Sequence, residues 1–222
     1  MQVLIIILVI FLSMWSHNGV AGQPSRNILH EIVANCLDSS LPDYCALCPA
    51  PLAGQCSVGN DCRRTTDVWA QTEDYVAIGD IKMCGCPADF VHGLAMARTP
   101  VSGVEDARRP AGIWPFAWAV ARQRISEETA IGLVVNPVHL RSQDHLHIHL
   151  LRLRQDARKK LASRKPVTVE RLEEVWDVAA RHAAELGLRN YGVIVARAPD
   201  GKFLVVADGG SPEREFTEYL CR

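Results

Sequence analysis

The spacing of apolar residues predicts an α+β fold beyond residue 66. Short apolar runs between turn residues are typical of strands, and two apolar stripes at helical spacing are typical of helices. The predicted strands are Asp74–Gly79, Gly93–Arg98, Ile131–Asn136, His145–Leu153, Tyr191–Arg197 and Phe203–Asp208, and the predicted helices are Trp114–Ile125 and Thr168–Leu186. Because Pro199-Asp200-Gly201 favours a tight turn, we expect the C-terminal part to be a helix followed by a hairpin.

The N-terminus carries a different pattern. Val3 to Trp15 is a run of thirteen residues in which Ser13 is the only polar member. A membrane span needs about 20 apolar residues, so the run has the length of a signal-peptide core instead. Small residues follow at Gly19–Gly22, although no Lys or Arg precedes the run. We expect export to the cell envelope, with residues 1–22 as a cleaved signal peptide or a short retained anchor.

Residues 23–66 are rich in Pro, Gly, Cys, Asp and Ser and predict an irregular, Cys-rich segment with a short amphipathic turn around Ile28 to Leu37. All eight cysteines follow the predicted signal: Cys36, Cys45, Cys48, Cys56, Cys62, Cys84, Cys86 and Cys221. An even number in an exported protein favours disulfide bonds of undetermined pairing. Cys45 and Cys48 could instead form half of a zinc or redox site, but no second Cys-x-x-Cys follows. Residues 67–222 are predicted to form the main domain.

Charge excludes one class of partner. The chain has 24 Lys and Arg against 25 Asp and Glu, a formal net charge of -1, so no overall field favours nucleic acid. The stretch Arg152 to Lys165 is locally basic, with seven Lys or Arg and one Asp. It could attract an anionic lipid surface or be an ordinary solvated segment.

The segment His145-Leu146-His147-Ile148-His149 carries the candidate chemistry. Successive side chains of a strand point to opposite faces, so the three imidazoles share one face and lie about 6–7 Å from one another. Three interpretations compete: a polar surface, a metal site, and catalysis by a nucleophilic histidine. A zinc hydrolase would add carboxylate ligands, and only Asp144 is near in sequence. We expect His92 and His139 to be ordinary loop or edge residues.

The same segment with Leu150 and Leu151 matches the His-φ-His-φ-His-φ-φ signature of the histidine triad superfamily, in which φ is apolar. More narrowly, residues 70–222 resemble the CDP-diacylglycerol pyrophosphatase family. The segments that carry this resemblance are Tyr75–Ile78, Gly103–Glu105, Phe116–Ala119, Ser142–His149, Tyr191-Gly192 and Cys221. The resemblance implies an antiparallel sheet with flanking helices and hydrolysis of CDP-diacylglycerol to CMP and phosphatidate, with no cofactor.

The resemblance also implies the roles of the site residues. His147 would attack the phosphorus that bears the cytidine, and His145 and His149 would flank it. Asn136, Ser142 and Gln143 would bind the substrate as neutral hydrogen-bond donors, and no metal would be required. Partners would be CDP-diacylglycerol and a membrane surface, and a homodimer is left open.

Two cysteine segments depart from the family: the cysteine-rich stretch 36–62 and Cys84-Gly85-Cys86. Most histidine triad proteins have a glutamine four residues before the first histidine, where this chain has Arg141, and Gln143 lies two residues before that histidine. The CDP-diacylglycerol family also has its glutamine at the nearer position, so Arg141 agrees with the narrower resemblance. Two alternative functions stay open: a hydrolase or transferase of a soluble nucleotide conjugate, and a secreted binding protein that has lost its activity.

Overall fold

The computed structural model describes residues 25–37, 52–53 and 65–221. Its centre is an eight-stranded sheet in the order β3-β4-β5-β7-β6-β9-β10-β8, and every neighbouring pair is antiparallel. A short parallel pair, β1 (Leu52–Ala53) and β2 (Thr65–Thr66), lies outside this sheet. The strands of the sheet are β3 (Val68–Gln71), β4 (Tyr75–Gly79), β5 (His92–Ala97), β6 (Ile131–Val135), β7 (His147–Arg152), β8 (Val167–Val169), β9 (Gly192–Arg197) and β10 (Phe203–Asp208).

Helices cover both faces of the sheet. They are α1 (Ile28–Cys36), α2 (Ile113–Arg124), α3 (Ala157–Ser163), α4 (Val175–Glu185) and α5 (Pro212–Phe216). One face packs on α2 and α4 through the largest apolar cluster, in which Trp114 and Ile148 are fully buried. Burying each such side chain contributes about 1.5–3 kcal/mol relative to leaving it exposed. This face is therefore the main core.

The opposite face is covered in two separate places. Helix α1, through Leu29, Ile32 and Val33, and Leu37 directly after it pack on β4 and β5. They contact Val76, Ile78, Leu94 and Met96. Helices α3 and α5 pack on β6, β9 and β10 through Leu161 and Phe216. Strand β7 lies between β5 and β6, so its side chains on this face lie between the two covers.

The predicted α+β architecture is confirmed, and five of the six predicted strands agree with the structure within one residue at each end. The hairpin is also confirmed, since β9 pairs with β10 and Gly201 takes a φ of 86° in the turn between them. The sixth strand, predicted over His145–Leu153, begins two residues later, at His147.

The prediction of a helix over Thr168–Leu186 is wrong for the residues before Val175. Val167–Val169 is strand β8, a 3-10 helix covers Leu172–Glu174, and α4 begins only at Val175. Two β-branched valines flank Thr168, and β10 offers an unpaired edge, so pairing of Thr168 with Leu204 replaces the first helical turn.

The described residues contain a disulfide bond between Cys86 and Cys221, and Cys84 is disulfide-bonded as well. Within the same residues, no helix has the length and apolar character needed to cross a bilayer. The signal peptide or anchor predicted over residues 1–22 lies outside the described part of the chain, as does most of the predicted Cys-rich segment.

Candidate active site

His147 and His149 project from β7 on the face that α2 and α4 do not cover. Leu146, Ile148 and Leu150 belong to the main core on the other side, as the alternation of the strand requires. The rings of His147 and His149 lie edge to face with centroids 4.8 Å apart. Two of the three histidines predicted to share a strand face therefore do so.

His145 lies in the bend before β7, where it orients His147. Its Nε2 donates a hydrogen bond to the carbonyl of Ala97 over 2.8 Å. Its own backbone carbonyl lies 2.6 Å from Nδ1 of His147. A carbonyl can only accept, so Nδ1 of His147 carries the proton and Nε2 keeps its lone pair. His145 thereby fixes the tautomer of the central histidine through its main chain.

A second chain of hydrogen bonds ends at His149. The carbonyl of Tyr219 accepts from Nδ1 of His92 over 3.1 Å, and Nε2 of His92 lies 3.0 Å from Nδ1 of His149. Because the Tyr219 carbonyl can only accept, Nδ1 of His92 carries the proton, and Nε2 of neutral His92 accepts a hydrogen bond from Nδ1 of His149. The Nε2 of His149 is buried and has no hydrogen-bond partner among the described residues.

The expectation that His92 is an ordinary loop or edge residue is wrong. His92 is fully buried on β5, a central strand, and shares its face with Leu94 and Met96. The pairing of Leu94 with His149 brings His92 close to that ring. Extending the predicted strand by one residue before Gly93 would have shown that His92, Leu94 and Met96 alternate with small residues.

Two carboxylates, Glu213 and Asp80, and one cation, Lys82, surround these imidazoles. Glu213 of α5 accepts from Nζ of Lys82 over 2.8 Å and from the amide of Asn136 over 2.6 Å. Its carboxylate lies 3.6 Å from Nε2 of His92 and 3.7 Å from Nε2 of His149. Asp80 lies 3.5 Å from Nε2 of His92. Sequence reasoning missed these three charged residues because they lie far from the histidine motif along the chain.

Burial keeps the histidines neutral. Loss of solvent lowers the pKa of His92 and His147 and lowers that of His149 well below its ordinary value. The same effect lowers the pKa of His145 to about 4. Burial alone would raise the pKa of Glu213, but Lys82 and the neighbouring donors outweigh it and lower that pKa. At neutral pH the site therefore holds neutral imidazoles beside an ionised carboxylate.

A cavity of about 220 Å³ opens beside His147 and His149. One wall is apolar and comes from α1, β4 and β5, and the other is polar. The apolar wall includes Ile28, Leu29, Ile32, Ile78 and Leu94. The polar wall consists of Asp80, Lys82, Ser142, Gln143, His147 and His149. The site can thus receive a ligand that has an apolar part and a phosphate.

The comparison with protein families decides the assignment. A model of the CDP-diacylglycerol pyrophosphatase family matches residues 71–183, which include His92, His145, His147 and His149. The chain belongs to the CDP-diacylglycerol pyrophosphatase family. It is therefore a hydrolase, and CDP-diacylglycerol is the substrate that the family implies. Among curated proteins, no match was found.

The predicted substrate-binding residues occupy different places in this family member. Ser142 is exposed at the cavity. Gln143 also reaches the cavity, but its amide holds the start of α1 by accepting from the Leu29 amide and donating to the Ser25 carbonyl. Asn136 is buried outside the cavity, where it donates to Glu213 and accepts from Ser211. His145 and Asn136 line a small second pocket with His147.

Three residues could together hold a metal ion. One ligand atom each from Asp80, His92 and His149 lies within 4.8 Å of the others. Asp144, the carboxylate near the motif in sequence, instead pairs with Arg26 and Arg141. The hydrogen bond between His92 and His149 would have to break before both nitrogens could bind one ion.

Most positive charges of the basic stretch Arg152 to Lys165 form hydrogen bonds or ion pairs within the chain. Arg158 donates to the carbonyls of Arg197 and Thr129, and Arg164 pairs with Glu215. Lys160 and Arg154 both contact Asp156. These contacts explain four of the seven positive charges as parts of the fold.

Proposed function

We propose that the chain hydrolyses CDP-diacylglycerol to CMP and phosphatidate through a covalent cytidylyl-histidine at His147. One observation carries the proposal: Nδ1 of His147 is held by the His145 carbonyl, while the ring lines the cavity. This arrangement leaves the lone pair of Nε2 as the nucleophile. The lowered pKa of His147 keeps that nitrogen unprotonated at neutral pH.

In the first step, Nε2 of His147 forms a bond to the phosphorus that bears the cytidine. The bond from that phosphorus to the bridging oxygen breaks, and phosphatidate leaves with the electron pair. In the second step, water attacks the same phosphorus and the bond to Nε2 breaks, which releases CMP. Splitting the displacement in two lets a good nitrogen nucleophile perform the first step.

His149 suits the second step. Its Nδ1 donates to His92, and its Nε2 has no hydrogen-bond partner among the described residues, so Nε2 can accept the proton of the attacking water. Glu213 lies 3.7 Å from that nitrogen and would stabilise the imidazolium that results. Ser142 and Gln143 at the cavity, and Asn136 from the small second pocket that it shares with His147, are proposed to bind phosphate or sugar oxygens.

Matched histidine variants test this function. His147→Asn removes the nucleophile but retains a side-chain amide able to bond the His145 carbonyl, whereas His139→Asn changes an exposed histidine. With CDP-diacylglycerol in detergent micelles, we expect CMP release to fall about 10³-fold or more in the first variant and to stay unchanged in the second. Near-normal turnover by His147→Asn would refute the nucleophile assignment.

A second mechanism, metal-assisted hydrolysis, is favoured by the proximity of Asp80, His92 and His149. A bound ion would polarise the phosphate or activate water. Loss of activity in EDTA and its return with Zn²⁺ would support this mechanism. Unchanged activity in EDTA would support the histidine mechanism.

The proposal also concerns the location of the enzyme in the cell. We propose export to the cell envelope, supported by the apolar run of residues 3–15 and by the disulfide bond between Cys86 and Cys221. The division at residues 22 and 66, a histidine triad fold for residues 67–222, contact with a membrane surface, and a homodimer remain predictions. Fractionation of cells that express the full chain would test its location.

A further inference from the structure

Lys82 is held over the cavity by a short, tightly fixed segment. Strand β4 ends at Gly79, and the carboxylate of Asp80 accepts from the backbone amide of Lys82 over 2.9 Å, which caps a 3-10 helix over Ile81–Met83. Immediately beyond that helix, Cys84 and Cys86 are both disulfide-bonded, the latter to Cys221. The position of the Lys82 backbone is therefore fixed at both ends of the helix.

Lys82 brings a permanent positive charge to the cavity. Among the described residues that line the cavity, Lys82 is the one Lys or Arg, and the two histidines are neutral at rest. Its side chain is 37% exposed, whereas its partner Glu213 is 8% exposed. The ammonium group thus lies at the boundary between a buried carboxylate and the open cavity.

A substrate with two negative phosphates needs a cation in such a site. Phosphatidate gains further negative charge as the bridging bond breaks, so a cation is most effective on the leaving phosphate. Attack by His147 must be in line, which places the leaving oxygen on the side of phosphorus away from Nε2. Glu213 pairs with Lys82 and lies 3.6 Å from Nε2 of His92 and 3.7 Å from Nε2 of His149, and no ion pair joins it to His147 among the described residues.

We infer that Lys82 is a substrate-binding residue that holds the phosphate leaving with the diacylglycerol. This inference rests on the proposed function, because it presumes attack by His147. The ammonium group would turn from Glu213 towards the phosphate, and Glu213 would then face the imidazolium of His149. Lys82 would thereby favour a phosphoanhydride over other cytidylyl esters.

Two substrates that share the cytidylyl group test the inference. CDP-diacylglycerol has a second phosphate on its leaving group, and the p-nitrophenyl ester of CMP has none. For Lys82→Met we expect kcat/KM to fall about 10- to 100-fold with CDP-diacylglycerol and less than about 3-fold with the ester. Lys82→Arg should recover part of the loss with CDP-diacylglycerol.

Lys202→Met is the matched control, because Lys202 also pairs with a glutamate, Glu170, but lies in the β9–β10 turn. It should leave both substrates unaffected. Equal losses with the two substrates, no loss with CDP-diacylglycerol, or a larger loss with the ester would overturn the role of Lys82. Failure of the unmodified enzyme to release CMP from either substrate would instead refute the proposed function.

Discussion

The two faces of strand β7 differ in the residues that they contact. Leu146, Ile148 and Leu150 meet a continuous apolar core under α2 and α4. On the other face, His147 and His149 lie between two smaller apolar clusters and meet residues from β5, the segment after β4, and α5. The apolar face can be filled by any apolar side chain of suitable size. The histidine face needs particular hydrogen-bond donors and acceptors from distant parts of the chain. The two faces should therefore respond differently to substitution.

The largest loss of stability is expected from the apolar face. Ile148 is fully buried, and Ile148→Ala should lower the free energy of unfolding by about 2–5 kcal/mol. Urea denaturation would measure the loss, with Val138→Ala as a control because Val138 is 37% exposed. The folded fraction of Ile148→Ala should keep most of its activity. A loss of activity with unchanged stability would contradict the division between the faces.

The same strand should show the opposite behaviour on its histidine face. His147→Asn removes little apolar contact and retains a donor for the His145 carbonyl. We therefore expect its free energy of unfolding to change by about 1 kcal/mol or less, although activity is lost. Urea denaturation of this variant beside Ile148→Ala would measure the contrast directly. A destabilisation as large as that of Ile148→Ala would show that His147 acts mainly in the core.

The apolar face was predictable from the sequence, and much of the histidine face was not. Alternation in residues 145–153 placed Leu146, Ile148 and Leu150 in the core because burial follows strand period. The shared face of His147 and His149 followed from the same period. Glu213, Lys82 and Asp80 could not be found this way, since pairing of distant strands and the position of α5 bring them to the site. Thr168 was misassigned because an edge strand overrides local helical spacing.

His92 combines both kinds of environment, because it is fully buried like a core residue and hydrogen-bonded to His149 like a site residue. His92→Phe should lower kcat about 10- to 100-fold, since His149 loses the acceptor that fixes its tautomer. His92→Gln places an amide oxygen near the position of Nε2, so it retains an acceptor for His149 and should lower kcat less. Steady-state kinetics should show the change in kcat rather than in KM. Equal activity of the two variants would mean that His92 only fills space.

The smallest expected effect is a dependence of stability on pH. His92, His145, His147 and His149 have lowered pKa values in the folded chain, so the unfolded chain binds more protons in acid. Their contribution should be fully present above pH about 6.5, the ordinary histidine pKa, and should be lost as the pH falls towards 4. Denaturation from pH 8 to 4 would measure it, and His145→Asn should flatten the slope. Stability that rises below pH 6.5 would contradict neutral, buried imidazoles.

Trapping the covalent intermediate would show whether His147 is the nucleophile. CDP-diacylglycerol labelled in the cytidine-linked phosphate would be mixed with excess enzyme, quenched in base within milliseconds, and digested for peptide mapping. We predict a label on the peptide that contains His147, and no label on the same peptide of His147→Asn. Release of labelled CMP without any labelled peptide, or a label on another residue, would exclude His147 as the nucleophile.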